Sequence, residues 1–444
     1  MHALTQLAEF VSGHPKGALP SETREAISLL LLDLMGATAA GLHSRLAASA
    51  RQAASDVYGS GVAQVWLTDL KLSVVGAAMA NSAAASALDI DDGHRGAAGH
   101  AGAGVIPAAL AVGQSINASD AEMLDAIALG YDVALRVATS RPTNTIETYA
   151  SGRWVSYGAA AAAGRLLGLD AEEMAHALAI AGSEGPIVFP TGSSKFQGST
   201  VKEGIPPAVV AGITGAYRAR AGATGPVDLL NDEDRYDPKI LLGQLGEVWE
   251  LQKCYLKPYA CCRYMHAAID AILKMRQDGR HIHRLRIETF PQGLRLANER
   301  TPSTLEGGQY SFYFSCALAA LRGQEALQPV DPDSLKDIEV LGLANRIELE
   351  TSIDFATAFP VRTPARVLID QGDGEKELVI DHPLGDVANP MSWDQVAHKF
   401  KNIGRVSLST QSQDSIISAI SQLNEAGFTP LLSALSKSQD NNLQ

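Results

Sequence analysis

ARVLIDQGDGEKELVID, residues 365–381, alternates apolar and polar positions on either side of a Gly/Asp-rich turn. A period of two on both flanks predicts a β-hairpin of two half-buried strands. The chain N-terminal to residue 254 reads differently, as one helix after another. Ser21 is read as the N-cap of a helix whose Ile27, Leu30, Leu31, Leu34 and Met35 recur at helical spacing. Ser119-Asp120 opens a second, through Met123, Ile127 and Leu129 to Val137, and Asp170 a third, through Met174, Leu178 and Ile180. Residues 71–88 and 157–166 are rich in Ala, Ser and Gly, which predicts buried helices in close approach.

Around the hairpin the period keeps changing. Residues 263–277 read as helix, HRLRIETF (283–290) as strand, 310–322 and 332–344 as helices, and RIELETSI (346–353) as strand. The helical period returns from 392, with a final helix at 411–426 and a polar tail, SKSQDNNLQ, expected to fray. The predicted fold is mainly α: a large all-helical domain formed by both chain ends (1–253 and 391–444), with a smaller α+β domain inserted at 254–390.

Composition narrows the function. A net charge of −13 over 444 residues excludes non-specific attraction to nucleic acid or an anionic membrane. Cys254, Cys261, Cys262 and Cys316 form no disulfide framework. No signal peptide and no apolar run of spanning length is found, so a reduced, cytoplasmic protein is expected.

DIDDGHRGAAGHAGAG (89–104) is the densest cluster of ionisable groups. His94 and His100 with Asp89, Asp91 and Asp92 could ligate a divalent ion, but the spacing matches neither a zincin helix nor an EF-hand loop, and the glycines predict a bending loop. Cys254, Cys261, Cys262 and His266 contain no CxxC and are read as structural thiols rather than a zinc site. No metal and no cofactor are expected: the chain has no Walker A sequence, no GxGxxG between strand and helix, and no GxSxG. Basic residues recur instead in loops beside apolar helices: Lys195 and Lys202 in 193–204, Lys257, Arg263 and His266 in 257–266, and Tyr149 and Arg153 in 144–158. That pattern suits a small polycarboxylate, because a guanidinium binds carboxylate in a bidentate fork.

Four stretches resemble one family. LDIDDGHRGAAGHAGAGVIPAALAVGQ (88–114), GAAAAAGRLLGLDAEEMAHALAIAGS (158–183), KPYACCRYMHAAIDA (257–271) and HPLGDVANPMSWDQVAHKF (382–400) are similar to segments of the MmgE/PrpD, or 2-methylcitrate dehydratase, family. The resemblance spans nearly the whole chain in order. It implies the split helical domain, a cofactor-free enzyme, a homodimer, and proton transfer at a carbon beside a carboxylate. It matches Asp89 to the family's loop aspartate, His100 to its loop histidine, Lys202 to its loop lysine and Lys257 to its junction lysine.

This sequence also departs from the pattern. Trp154 stands where a family histidine is expected, with Arg153 beside it; Cys262 replaces another histidine, and a later tyrosine falls at or beside Phe314, next to Tyr313. Those losses turn the expectation toward epimerisation of a small amino di- or polycarboxylate such as iminodisuccinate. Lys202 and Tyr149 are the expected acid–base pair, with Arg153, His100, Lys257 and Asp89 around the substrate. A lyase of the 2-methylcitrate dehydratase or cis-aconitate decarboxylase type is the alternative, and a non-catalytic polycarboxylate-binding protein the third reading.

Overall fold

A computed structural model describes residues 1–187 and 199–436. Lys195 and nearly all of the polar tail lie outside the described residues.

Two hydrophobic cores organise the chain. The larger draws side chains from Ala3 to Leu256 and again from Met391 to Leu435, so both chain ends build it. The smaller runs from Tyr259 to Ile369. They support the proposed division into a domain from both ends and one inserted between them.

The helices of the larger core are set by their caps and by small residues. Ser119 accepts from the Glu122 amide while Glu122 reaches back to Ser119, a full capping box for helix Asp120–Thr139; Asp170 and Glu173 do the same for helix Ala171–Glu184. Helix Val74–Ser86 is almost wholly small and buried, capped by Ser73. Helices Asp120–Thr139 and Gly152–Leu166 cross at Gly130 and Gly158: a Cβ on Gly158 would lie 2.5 Å from the Gly130 carbonyl oxygen. Helix Ser21–Gly41 differs from expectation by one residue. Pro20, extended at φ −56° and ψ 151°, takes the cap position, and Ser21 makes no cap.

The predicted strands form one sheet, in the order Glu348–Thr351, Arg284–Thr289, Ala365–Asp370, Glu375–Ile380. The first pair is parallel and the other two antiparallel, with Asp370 opposite Glu375 across the hairpin turn. Gly372 and Gly374 turn the chain at φ +92° and +97°. Strand Ala365–Asp370 alternates buried and half-buried residues; its buried Ala365, Val367 and Ile369 join the smaller core, as do residues of helix His266–Met275.

Three expectations need correction. The 332–344 helix is two pieces, because Asp337 caps a new helix at Ile338–Ala344 after the 3-10 turn Pro332–Lys336. The last helix is not 411–426: helix Thr410–Ser421 and turn Leu423–Ala426 are followed by helix Thr429–Leu435, allowed by Gly427 at φ +69°. The larger domain is not all-helical. It holds an antiparallel pair, Ser60–Gln64 with Lys71–Leu72, and Gly93–His94 pairs with Cys254–Tyr255 at the junction. No single helix among the described residues is long and apolar enough to cross a membrane.

Candidate active site

The loop after helix Val74–Ser86 turns inward. Asp89, Asp91, Asp92, His94 and His100 are all buried. Asp89 sits at φ +55°, a left-handed conformation that aspartate tolerates better than most residues. The His94 amide donates to the Gly99 carbonyl at 2.9 Å. The Gly93–His94 pairing with Cys254–Tyr255 then brings the loop against the segment that carries Lys257.

Asp89 is the hub. Lys257 Nζ donates to its Oδ2 at 2.8 Å, Lys202 Nζ lies 3.4 Å from its Oδ1, and His100 Nε2 lies 3.6 Å from the same oxygen. Burial alone would raise the Asp89 carboxyl, but Lys202, Lys257 and His100 outweigh it and hold the group far below the usual carboxylate range. Lys202 Nζ also donates to Gln309 Oε1 at 2.8 Å and lies 5.1 Å from the Tyr310 ring centroid.

His100 is held on both sides. Its Nδ1 lies 2.7 Å from the Asp92 carbonyl oxygen and 3.4 Å from Asp91 Oδ2. Burial lowers its pKa, but Asp91 more than compensates and pushes it up to about 10, so His100 is an imidazolium at neutral pH. Its backbone amide donates to Ser151 Oγ at 2.9 Å, and Ser151 Oγ donates to Glu203 Oε2 at 2.6 Å.

Glu203 belongs to the turn that presents Lys202. The turn is tight, with Glu203 at φ +36° and Gly204 at φ +69°, just before helix Ile205–Arg220. Gly152 permits it: its amide donates to the Glu203 carbonyl at 2.8 Å, and a Cβ there would lie 2.6 Å from the Gly204 oxygen.

A cavity of about 260 Å³ opens above this cluster. It is smaller than the sites that take drug-sized ligands and suits a small acid. Asp89, His100, Glu203 and Tyr310 line one side; Tyr149, Phe359, Gln292 and Arg295 also line it. Lys202 and Lys257 stand behind Asp89 rather than on the wall. Tyr149 is half-buried, packs edge-on against Phe359 at 5.3 Å between centroids, and keeps its proton because burial raises its pKa.

Of the expected residues, Asp89, His100, Lys202, Lys257 and Tyr149 are brought together. Arg153 is not. It sits in the first turn of helix Gly152–Leu166, exposed, while Ser151 and Trp154 turn inward. Its expected place on the wall is held by Arg95, Arg263 and Arg295. Phe314 is also not at the site: it is buried in the smaller core, and Arg300 stacks on Tyr313 at 3.7 Å. In this part of the chain it is Tyr310 that lines the cavity, with its hydroxyl 3.4 Å from Glu203 Oε1. Glu203 and Tyr310 went unread in the sequence because no motif marks them.

Among the described residues, one cluster could gather around a metal ion: Asp89, His100 and Glu203. The donor set fits poorly. Both Asp89 oxygens already face an ammonium, and His100 is protonated.

A helical scaffold with a smaller α+β lobe, and a cavity floored by cations gathered on one carboxylate, defines a class: a mainly α protein with a buried cation–carboxylate cluster beneath a small cavity. The family is fixed by both halves of the chain. Residues 5–244 match the MmgE/PrpD N-terminal domain and 259–425 the MmgE/PrpD C-terminal domain. The chain belongs to the MmgE/PrpD family. It is 24% identical to a cis-aconitate decarboxylase of Aspergillus terreus (strain NIH 2624 / FGSC A1156), covering 97% of this chain and 95% of the relative. A cis-aconitate decarboxylase-like protein, oryM, of Aspergillus oryzae is 22% identical over 97% of this chain and 96% of its own length. The Homo sapiens cis-aconitate decarboxylase is 24% identical over 97% of this chain and 93% of its own length.

Proposed function

We propose that this protein is a cofactor-independent isomerase that epimerises a small amino di- or polycarboxylate of the iminodisuccinate kind. A Cα proton is removed from one face and a proton is returned to the other. The observation that carries this reading over elimination is the pair Trp154 and Cys262, at positions where the family resemblance expects histidines. Trp154 is fully buried and has no titratable group. The Cys262 thiol is pushed up to about 12 by burial and by Asp89. Neither offers an acid matched to protonating a departing hydroxyl near neutral pH. Epimerisation expels no group and needs only one base and one acid acting on opposite faces of Cα.

Tyr149 and Lys202 supply them. Tyr149 lies on the wall beside Phe359 as a phenol donor, and Lys202 lies behind Asp89, beside the Tyr310 ring. Lys202, an ammonium at rest beside Asp89, gives up a proton before it takes the Cα proton; the Cα–H electron pair moves into the adjoining carboxylate, and Tyr149 delivers its proton to the opposite face. The reverse turnover, or exchange with solvent, resets both groups. The His100 imidazolium and the Lys257 ammonium beneath Asp89 stabilise the extra negative charge of the intermediate.

A second reading, a lyase acting on a tricarboxylate, is supported by the names of the relatives. Proton NMR in D2O separates the two, using iminodisuccinate stereoisomers, 2-methylcitrate and cis-aconitate in separate tubes. The isomerase places deuterium at Cα of iminodisuccinate without loss of water or CO2. New alkene signals from 2-methylcitrate, or itaconate from cis-aconitate, with iminodisuccinate untouched, transfer the assignment to the lyase. No exchange and no product in any tube leaves a binding protein.

A further inference from the structure

The α+β lobe contributes its own polar groups to the cavity. Strand Arg284–Thr289 leads into Phe290, which stacks on Phe359 at 5.7 Å and is fully buried. The 3-10 turn Pro291–Arg295 follows and carries Gln292 and Arg295 to the wall. Phe359 packs against Tyr149 as well, so the turn and the proposed proton donor share one anchor.

The wall arginines differ in how they are occupied. Arg95 holds Asp386 with two hydrogen bonds, at 2.7 and 3.2 Å. Arg263 is spent on the carbonyls of Leu256, Pro383 and Leu384 and on Asp386. Arg295 is exposed and makes no hydrogen bond or ion pair among the described residues. Beside it in sequence and on the same wall, Gln292 buries its Oε1 with no donor. A buried carbonyl oxygen without a donor is rare in native structures, and on a side chain that lines a cavity a ligand N–H can satisfy it.

We propose that Gln292 and Arg295 form a recognition subsite for an amino carboxylate: Arg295 pairs with the distal carboxylate, and Gln292 Oε1 accepts an N–H from the substrate nitrogen. The subsite rests on the reading of the cavity as a carboxylate site. It adds the reason that a nitrogen-bearing dicarboxylate is preferred over one of the same skeleton without nitrogen. The guanidinium supplies affinity for any dicarboxylate, and the amide supplies the discrimination, because a site built to receive an N–H loses a hydrogen bond when the ligand lacks it.

L-aspartate and succinate test the division, since they share a skeleton and differ by the amino group. Calorimetric titration of the full-length protein gives both affinities for wild type, Arg295→Gln, Arg295→Lys and Gln292→Leu. Arg295→Gln is expected to weaken both ligands by about tenfold or more, with partial recovery in Arg295→Lys. Gln292→Leu is expected to weaken aspartate about tenfold and to leave succinate within about twofold. A merely structural role for Gln292 moves both ligands together, and that result overturns the proposal. Unchanged affinities in Arg295→Gln overturn it too, while leaving the carboxylate cavity standing. A wild type that binds neither ligand overturns the cavity reading and the subsite with it.

Discussion

His100 is an imidazolium because Asp91 at Nδ1 outweighs burial, with Glu203 adding to the effect and Lys257 opposing it; Asp89 lies at Nε2 and the Asp92 carbonyl at Nδ1. Its folded pKa of about 10 lies above an unfolded value of about 6.5. The stability this provides is complete below about pH 6.5, falls as pH rises and is gone above about 10. Asp91→Asn removes the largest raising influence, so His100 should lose its proton nearer neutrality. Dicarboxylate affinity that is flat from pH 6 to 8 in wild type should fall with rising pH across about the same range in the variant. NMR titration of the His100 ring checks the shift directly, and an unchanged pKa contradicts the assignment. Lys202→Met should lower Cα deuterium exchange by about 10²- to 10⁴-fold while far-UV dichroism stays native; exchange at the wild-type rate removes Lys202 from the mechanism. At this scale the sequence was legible where charge density or a motif marked the residue, as at Asp89, His100, Lys202 and Lys257. It failed where helix register decides. Arg153 and Trp154 are neighbours, yet a helix starting at Gly152 turns one outward and the other in. Ser311 caps helix Phe312–Arg322, which buries Phe314 and leaves Tyr310 just before the helix to face the cavity.

Elements place those residues through close backbone contact. The Lys202–Gly204 turn is held against the start of helix Gly152–Leu166, and Gly152 has no room for a side chain. A Cβ there meets backbone, which cannot swing aside as a flexible side chain can. Gly152→Ala should therefore displace the turn, and a shift of about 1 Å at an acid–base group costs up to about 10²-fold in rate. The expected result is a native dichroism spectrum, an unfolding midpoint only modestly lowered, and exchange reduced at least about tenfold. Full activity would show that the turn does not depend on this contact. The strands and the capped helices were readable because period and caps are local. The site-forming contacts were not: Gly93–His94 pairs with Cys254–Tyr255, and nothing in two isolated dipeptides announces a strand pair. The glycines were visible as composition, but which backbone each one faces is a property of packing.

The whole molecule depends on joining its two ends. Lys399, in helix Trp393–Gly404, donates to Asp33 of helix Ser21–Gly41 at 2.5 Å and to the Ile90 carbonyl at 2.7 Å, inside the active-site loop. All three are buried, so the C-terminal segment braces the loop that carries Asp89 and His100. Lys399→Met leaves Asp33 buried without its cation and should destabilise the fold by about 3–5 kcal/mol in denaturant titration. Because burial raises the Asp33 pKa, part of that loss should return as pH falls and the carboxyl takes a proton. A variant as stable as wild type would contradict the bracing role. The cavity itself lies where the larger core's loops meet the smaller lobe: Asp89, His100, Tyr149 and Glu203 come from one, Gln292, Arg295, Tyr310 and Phe359 from the other. The switch from helical to strand period and back was legible in the sequence; which side chains face each other across the cavity was not, since they lie in loops with no period to read.

The claim on which the rest depends is that a proton leaves one face of Cα and another arrives at the opposite face, from two different groups. A single stereoisomer of iminodisuccinate, incubated in D2O and followed by NMR, tests it. Two groups predict that the newly formed stereoisomer carries deuterium at the inverted carbon from the first turnover while the remaining starting stereoisomer stays protiated. Deuterium appearing equally in both stereoisomers would mean that one group serves both faces and would contradict the account.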